Sequence, residues 1–313
     1  MKEIIHILVI GAGTMGHAIA QVYAQSGFTV DLVDKNQQAL QRARDLINSN
    51  LQILKKFKKI TQDDISDIIQ RIKFSYNLES SASKADLAIE AVNERAEVKK
   101  TVFAQLNKFC SEDIILVSNT SGLNIFEIAE VRNPERLIIH HWFCPAYIIP
   151  LVEIVPGPET SPEIIELSVN LMKKLGKIPF VLKEYIDSFI VNRIQRVIMV
   201  QTYEMLQKGW ATAEEIDLAI KTVLGVRLPI QGIIQSQDFT GLDLVLDKQK
   251  EFNTNERYPQ IEELVKQGDL GVKSGKGFYD YGNRSEIEIL QKRDMLCIEM
   301  LETLEKLKAF KPL

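Results

Sequence analysis

Short apolar runs alternate with helix-periodic stretches through roughly the first half of the chain and a little beyond. Runs near 4–10, 28–33, 72–75, 86–91, 114–118, 137–142, 150–155 and 178–182 have the length and the Ile, Val and Leu content of strands. Between them, near 14–26, 36–58, 95–109 and 161–175, apolar residues recur with the period of an amphipathic helix. Near-continuous apolar strands separated by helices predict an α/β fold, a doubly wound and mostly parallel sheet with helices on both faces. Ligands then collect at the carboxyl ends of the strands. The connection from about Asn36 to Arg71 reads as two helices, a helical insertion able to cover a ligand. After Lys183 the pattern is helix after helix, near 188–208, 212–224, 238–253, 259–267 and 284–310, so a domain over 1–186 is followed by an all-α domain over 187–313. In the last segment Ile287, Leu290, Met295, Ile298, Leu301, Leu304 and Leu307 mark one apolar face, which predicts core or dimer packing.

The first strand runs directly into Gly11-Ala12-Gly13-Thr14-Met15-Gly16, a Gly-x-Gly-x-x-Gly turn, and an acidic residue, Asp34, closes the second apolar run. This is the dinucleotide-binding pattern of a Rossmann domain. Gly11 permits the tight turn, Gly13 lets backbone N–H groups approach a pyrophosphate, and Gly16 lets the helix lie against the strand. Asp34 accepts ribose hydroxyls and repels a 2′-phosphate, so the cofactor expected is NAD(H) rather than NADP(H).

Composition narrows the partners. The chain has 313 residues, 45% hydrophobic and 26% charged, with a net charge of −4. Without a basic surplus there is no footprint for nucleic acid, and no apolar stretch is long enough for a bilayer. The chain enters its first strand with no leader segment, which makes the cytoplasm the default location. Cys110, Cys144 and Cys297 lack metal-ligand spacing, so neither a metal site nor a disulfide framework is expected.

Polar residues gather where the strands end: Ser118-Asn119-Thr120-Ser121, His140-His141-Trp142-Phe143-Cys144-Pro145, Glu153, and Phe189-Ile190-Val191-Asn192-Arg193. Hydride transfer between an alcohol and a nicotinamide needs a base for the hydroxyl proton, and histidine suits that work. A carboxylate on the other ring nitrogen fixes the tautomer, and Glu153 is the candidate. A serine hydroxyl and an asparagine amide from these stretches are able to hold the carbonyl or the developing alkoxide. From alternation alone either His140 or His141 is the base.

Together these stretches resemble the L-3-hydroxyacyl-CoA dehydrogenase family, including its bacterial 3-hydroxybutyryl-CoA members. The likeness covers residues 3–281 and includes the glycine turn, Glu90-Ala-Val-Asn-Glu94-Arg-Ala-Glu-Val-Lys99, Leu151-Val-Glu153 and Gly271-Val-Lys-Ser-Gly-Lys-Gly-Phe-Tyr279. The resemblance implies NAD as cofactor, His141 as base, Glu153 as its partner, and Ser121 and Asn192 at the substrate oxygen. It also implies Glu94, Lys99 and Asn119 along the nicotinamide half, and a homodimer formed through the helical domain. In the acyl-CoA enzymes the helical insertion contacts CoA, which brings forward Lys55, Lys56, Lys58 and Lys59, with Asn50 near the place of a CoA-touching serine.

A second branch is similar too. The stretch Tyr147 to Ser161 and the tail Gln291 to Lys308 look like the lambda-crystallin and L-gulonate 3-dehydrogenase group, with carnitine dehydrogenases nearby. Cys144 stands where the family usually has Asn, and Asp187-Ser188 where the acyl-CoA enzymes have Pro-Gly. Three readings follow: a 3-hydroxyacyl-CoA dehydrogenase, a dehydrogenase of a free 3-hydroxy acid, and a non-catalytic nucleotide-binding relative.

Overall fold

Strand alternation divides the apolar residues between two cores. The computed structural model of this chain describes residues 3–251 and 258–312. The elements of its first part are β1 (His6–Ile10), α1 (Gly16–Gln25), β2 (Thr29–Val33), α2 (Gln37–Lys56), α3 (Gln62–Gln70), β3 (Ile72–Ser75), α4 (Leu78–Ala82), β4 (Leu87–Glu90), α5 (Ala96–Phe109), β5 (Ile115–Ser118), α6 (Ile125–Ile128), β6 (Leu137–Trp142), β7 (Leu151–Pro156), α7 (Pro162–Lys174) and β8 (Ile178–Val181). Ile7 and Val9 of β1 join Tyr23, Ile47, Ile65 and Met172 on one face of the sheet. Leu8 and Ile10 join Phe103, Leu106 and Ile125 on the other.

The sheet order is β3-β2-β1-β4-β5-β6-β7-β8. Neighbours from β3 to β6 pair in parallel, β7 runs antiparallel to β6, and β8 is parallel to β7. The direction of progression reverses between β1 and β4, which opens the crevice where such sheets bind nucleotides. The antiparallel pair matters for chemistry, because its register sets His141 directly opposite Glu153.

The insertion between β2 and β3 is two helices. Asn36 caps α2 by accepting from the N–H groups of Gln38 and Ala39. At α3, Thr61 and Asp64 form a reciprocal capping box. Short α4 and α6 were not expected from periodicity, because each is little more than one turn.

The chain separates into two compact units, one ending at Val197 and one beginning at Ile198. That division lies within α8 (Val191–Gln207). In the second unit α9 (Ala213–Ala219) passes through a π-helical turn, Ile220–Leu224, into α10 (Gly225–Gln231), followed by α11 (Ile234–Thr240), α12 (Leu242–Glu251), α13 (Pro259–Gln267) and α14 (Glu286–Lys306). The periodicity assigns no helix to 225–237, whereas the structure places α10 there, packed on α14 with Pro229 inside the helix, and the start of α11. The helix expected over 238–253 is split at Gly241, whose φ is 93°, and residues 252 and 253 lie outside the described residues. Buried Asp238 accepts from the N–H groups of Phe278 and Tyr279 and the hydroxyl of Tyr281, which organises the Gly271–Tyr279 segment. No helix among the described residues is long and apolar enough to cross a membrane.

Candidate active site

Backbone geometry at the first turn comes from its glycines. Gly11 has a φ of 102°, and a Cβ there would press on the Ala91 carbonyl. At Gly16 a Cβ would overlap the Gly11 carbonyl, so helix and loop touch as only glycine permits. Gly13 and Thr14 are exposed, and nothing lies within 4 Å of a Cβ built at Gly13. Met15 stands at the N-cap of α1 without a side-chain hydrogen bond, and the first turn carries no acid, so the helix presents free N–H groups. Met15 itself packs against the core. The Asp34 carboxylate accepts from the N–H groups of Ala12 and Asn36, both at 2.8 Å, which places it at the mouth of the turn.

A buried ionic chain sits at the ends of β4 and β5. Lys99 on α5 is 0% exposed, and its ammonium reaches Glu90 Oε1 at 2.7 Å, Glu90 Oε2 at 2.9 Å and Glu94 Oε2 at 3.0 Å. Glu90, also 0% exposed, accepts in addition from the Ser118 hydroxyl and the Val92 N–H. Glu94 Oε1 accepts from the Thr120 hydroxyl at 2.5 Å and the Ser121 N–H at 2.7 Å. Burial works to raise the Glu94 pKa, yet Thr120, Lys99 and the Ser121 N–H together hold it below the ordinary carboxylate value. Lys99, expected along the cofactor, is therefore withdrawn into the protein, and Glu94 is the member left partly open to the cleft.

The β6–β7 pair carries the acid–base geometry. His141 Nδ1 lies 2.7 Å from Glu153 Oε2. Glu153 Oε1 accepts from the N–H groups of Ile190 and Val191, both at 3.0 Å, where α8 begins. Burial tends to raise the Glu153 pKa, but His141 and the two N–H groups outweigh it and keep the carboxyl ionised. An ionised carboxylate only accepts, so Nδ1 carries the proton and Nε2 is left with a free lone pair. The imidazole is held between Phe143 and Phe189, with ring centroids 4.5 and 5.2 Å away.

The strand-to-helix turn that delivers those N–H groups is strained. Ser188 and Phe189 have φ of 62° and 52°, a region costing about 1–2 kcal/mol for a residue with a Cβ. Ser121 is exposed at its hydroxyl while its backbone is fixed: its carbonyl accepts from Asn192 Nδ2 at 2.9 Å, and the next carbonyl, Gly122, accepts from the Tyr185 hydroxyl. Asn119, 8% exposed, accepts from the Trp142 N–H and so ties the end of β5 to the residue after His141.

His140 has the opposite environment. It is fully buried on the other face of β6, neither ring nitrogen has a hydrogen-bond partner in the protein, and burial pushes its pKa down to about 3. It stays neutral, and of the two histidines only His141 has the partner a base needs.

Two family comparisons match in tandem. Residues 6–185 match the 3-hydroxyacyl-CoA dehydrogenase NAD binding domain, and residues 189–281 match the 3-hydroxyacyl-CoA dehydrogenase C-terminal domain. The chain belongs to the 3-hydroxyacyl-CoA dehydrogenase family. The probable 3-hydroxybutyryl-CoA dehydrogenase of Bacillus subtilis is 35% identical over 290 residues, covering 90% of this chain and 99% of that one. The human mitochondrial hydroxyacyl-coenzyme A dehydrogenase is 34% identical over 295 residues, covering 90% and 93%. Among solved structures, the 3-hydroxyacyl-CoA dehydrogenase of Archaeoglobus fulgidus covers 96% of this chain and 99% of its own at 29% identity, with a TM-score of 0.79. A 5-formyl-3-hydroxy-2-methylpyridine 4-carboxylic acid 5-dehydrogenase covers 97% and 99% at 26% identity, with a TM-score of 0.74.

This 3-hydroxyacyl-CoA dehydrogenase family member is thus an NAD-dependent oxidoreductase of the CH–OH class. The exposed backbone at Gly13, the uncapped α1 and Asp34 fit the pyrophosphate and adenosine ribose of NAD. The insertion is arranged differently from expectation. Asn50 is buried and donates to Gln21 Oε1 at 3.0 Å, so it faces α1 rather than a ligand. Lys55 donates to Gln62 at 2.6 Å and links α2 to α3. Lys56, Lys58 and Lys59 are exposed beside Phe57. Cys144 is exposed and free after His141. Among the described residues, no group of three or more His, Cys, Asp or Glu is placed to hold a metal ion.

Glu90, Ser118 and Thr120 stand within the quoted stretches, but the sequence assigned them no role of their own. One signal was there: a carboxylate closing the apolar run Leu87–Ile89 of a central strand has to be buried and therefore paired.

Proposed function

We propose that this protein interconverts an L-3-hydroxyacyl-CoA and the 3-oxoacyl-CoA. Bound NAD supplies the hydride acceptor, or in reverse the donor. His141 Nε2 takes the proton of the 3-hydroxyl, while Glu153 stays ionised, fixes the tautomer and stabilises the imidazolium. The Ser121 hydroxyl and the Asn192 amide orient the substrate oxygen. The observation that carries this reading is the double use of Glu153, whose two oxygens hold His141 on one side and the start of α8 on the other. Such an arrangement prepares a base rather than a structural histidine.

A free 3-hydroxy acid of the gulonate or carnitine kind is the second reading. One placement favours it: Asn50 is buried and donates to Gln21 on α1, so that one of the expected CoA contacts faces inward. The extended tail does not separate the readings, since both the archaeal acyl-CoA enzyme and the pyridine-carboxylate enzyme cover nearly all of this chain.

The test follows NADH absorbance with acetoacetyl-CoA beside acetoacetate and dehydrocarnitine, and NAD reduction with L-gulonate. Saturable turnover of acetoacetyl-CoA is the expected result. Replacing Lys56, Lys58 and Lys59 together by Gln should then raise the KM for acetoacetyl-CoA by about three- to tenfold at unchanged kcat, through lost attraction of the CoA phosphates. Turnover confined to a free acid transfers the enzyme to the second reading, and no turnover with any of them favours a binding role.

A homodimer is part of the same proposal. Ile287, Met295 and Ile298 on α14 are 67%, 54% and 58% exposed, an apolar face of the kind a second copy covers. Three free cysteines accord with a reducing compartment, and the cytoplasm is our assignment.

A further inference from the structure

Glu90 is a buried charge with no room for a ligand. Its four lone-pair directions are taken by Lys99 twice, the Ser118 hydroxyl and the Val92 N–H. Lys99 in turn has three ammonium protons, and Glu90 and Glu94 receive all three. Neither residue has a donor or acceptor left over. Their position is nonetheless central: Glu90 pairs in register with Ile10, just ahead of the glycine turn, and with Ser118, just ahead of the Ser121 loop.

Glu94 is where the chain reaches the cleft. Its side chain is 40% exposed, one oxygen is fixed by Lys99, and the other holds Thr120 and Ser121. Thr120 Oγ1 also accepts from the Leu123 N–H, so the turn carrying Ser121 is fastened at both ends. We infer that Glu90 is a positioning residue: through Lys99 it holds Glu94 in place, and through Glu94 it fixes the loop that carries Ser121. The inference rests on the proposed role of Ser121 at the substrate oxygen.

The physics predicts a direction. A glutamine at position 90 has one acceptor oxygen instead of two and no charge, so its NH2 faces a donor whichever way it turns. Lys99 then has a single counter-charge, Glu94, and draws it away from the Ser121 N–H. A displacement of the order of an ångström at a reacting group costs up to about a hundredfold in rate.

The experiment is a double-mutant cycle of Glu90→Gln and Lys99→Met, with kcat and KM measured per NADH-binding site so that misfolded protein does not count. Glu90→Gln should lower kcat by about ten- to a hundredfold and leave the acetoacetyl-CoA KM within about threefold. In the Lys99→Met background the same change should alter kcat by less than about twofold, because the group through which it acts is gone. Equal losses in both backgrounds overturn the inference. Ser118→Ala removes one bond to Glu90 without removing charge, and is the second variant should Glu90→Gln fail to fold. It should lower kcat by about three- to tenfold, together with a modest fall in melting temperature because a buried carboxylate oxygen loses its donor; an unchanged kcat counts against the inference.

The cycle is also read on NADH affinity by fluorescence titration, which needs no substrate. Coupled losses there with no acetoacetyl-CoA turnover in the parent protein would uphold the positioning of Glu94 and reject the proposed reaction. Additive losses in affinity together with normal parent turnover would do the reverse.

Discussion

Replacing His141 by Gln is expected to lower turnover by about three orders of magnitude, the contribution of a well-placed general base, while NADH still binds with near-parental affinity. The expectation follows from atoms already placed. Glu153 holds Nδ1–H at 2.7 Å, Phe143 and Phe189 hold the ring, and the proton-accepting lone pair on Nε2 has no other function in the protein. A glutamine keeps most of the volume and a hydrogen-bonding tip but has no basic nitrogen. Glu153→Gln is the informative companion. Both carboxylate oxygens accept, one from the imidazole and one from the N–H groups of Ile190 and Val191. An amide presents its NH2 to one of these sides. If that side is His141, Nδ1 becomes the acceptor, Nε2 carries the proton, and the base has the wrong tautomer. Its kcat should fall by at least about a hundredfold. Steady-state rates with acetoacetyl-CoA and NADH fluorescence titrations check both variants; near-normal turnover in His141→Gln removes it as the base.

The amount of this that sequence could show differs from element to element. The central strands β1, β4, β5, β6 and β7 were legible because they are buried on both faces, so each is an apolar run that needs no partner to be recognised. The glycine turn was legible because every glycine answers a steric demand, down to the overlap a Cβ at Gly16 would make with the Gly11 carbonyl. The antiparallel direction of β7 was not legible. It depends on how the chain crosses after Cys144, and it converts Glu153 from a residue one strand away into the direct neighbour of His141. Nor could alternation choose between His140 and His141, since it says only that they face opposite sides. Deciding requires knowing that one side holds Glu153 and α8 and the other a closed apolar core. The long-range pairings were the least visible. Asn50 to Gln21 and Lys55 to Gln62 join residues whose types suit a ligand equally well, and only three-dimensional placement shows the partners are internal.

His140 should make the first unit sensitive to acid. Its folded pKa is about 3 against 6.5 for an unconstrained histidine, with burial the cause. Between those values the unfolded chain binds a proton at this position and the folded chain does not, so stability falls as pH drops below 6.5 and stops falling on this account below 3. A separation of that size corresponds to about 3 kcal/mol lost between pH 7 and pH 4 and about 5 kcal/mol in all. This is a large share of the margin by which a domain is folded. Glu153 acts in the same sense but lower: its pKa is depressed in the fold, so its contribution is present above the ordinary carboxylate value and is lost as pH falls through the folded one. His140→Leu separates the two. Leucine suits a face shared with Ile138, Trp142 and Ile154 and has no proton to bind. Urea unfolding followed by the fluorescence of buried Trp142 at pH 7 and pH 4 should show the parent losing about 3 kcal/mol more than His140→Leu over that interval. Equal losses would mean that His140 takes up its proton without unfolding, and that this face of β6 admits a charge.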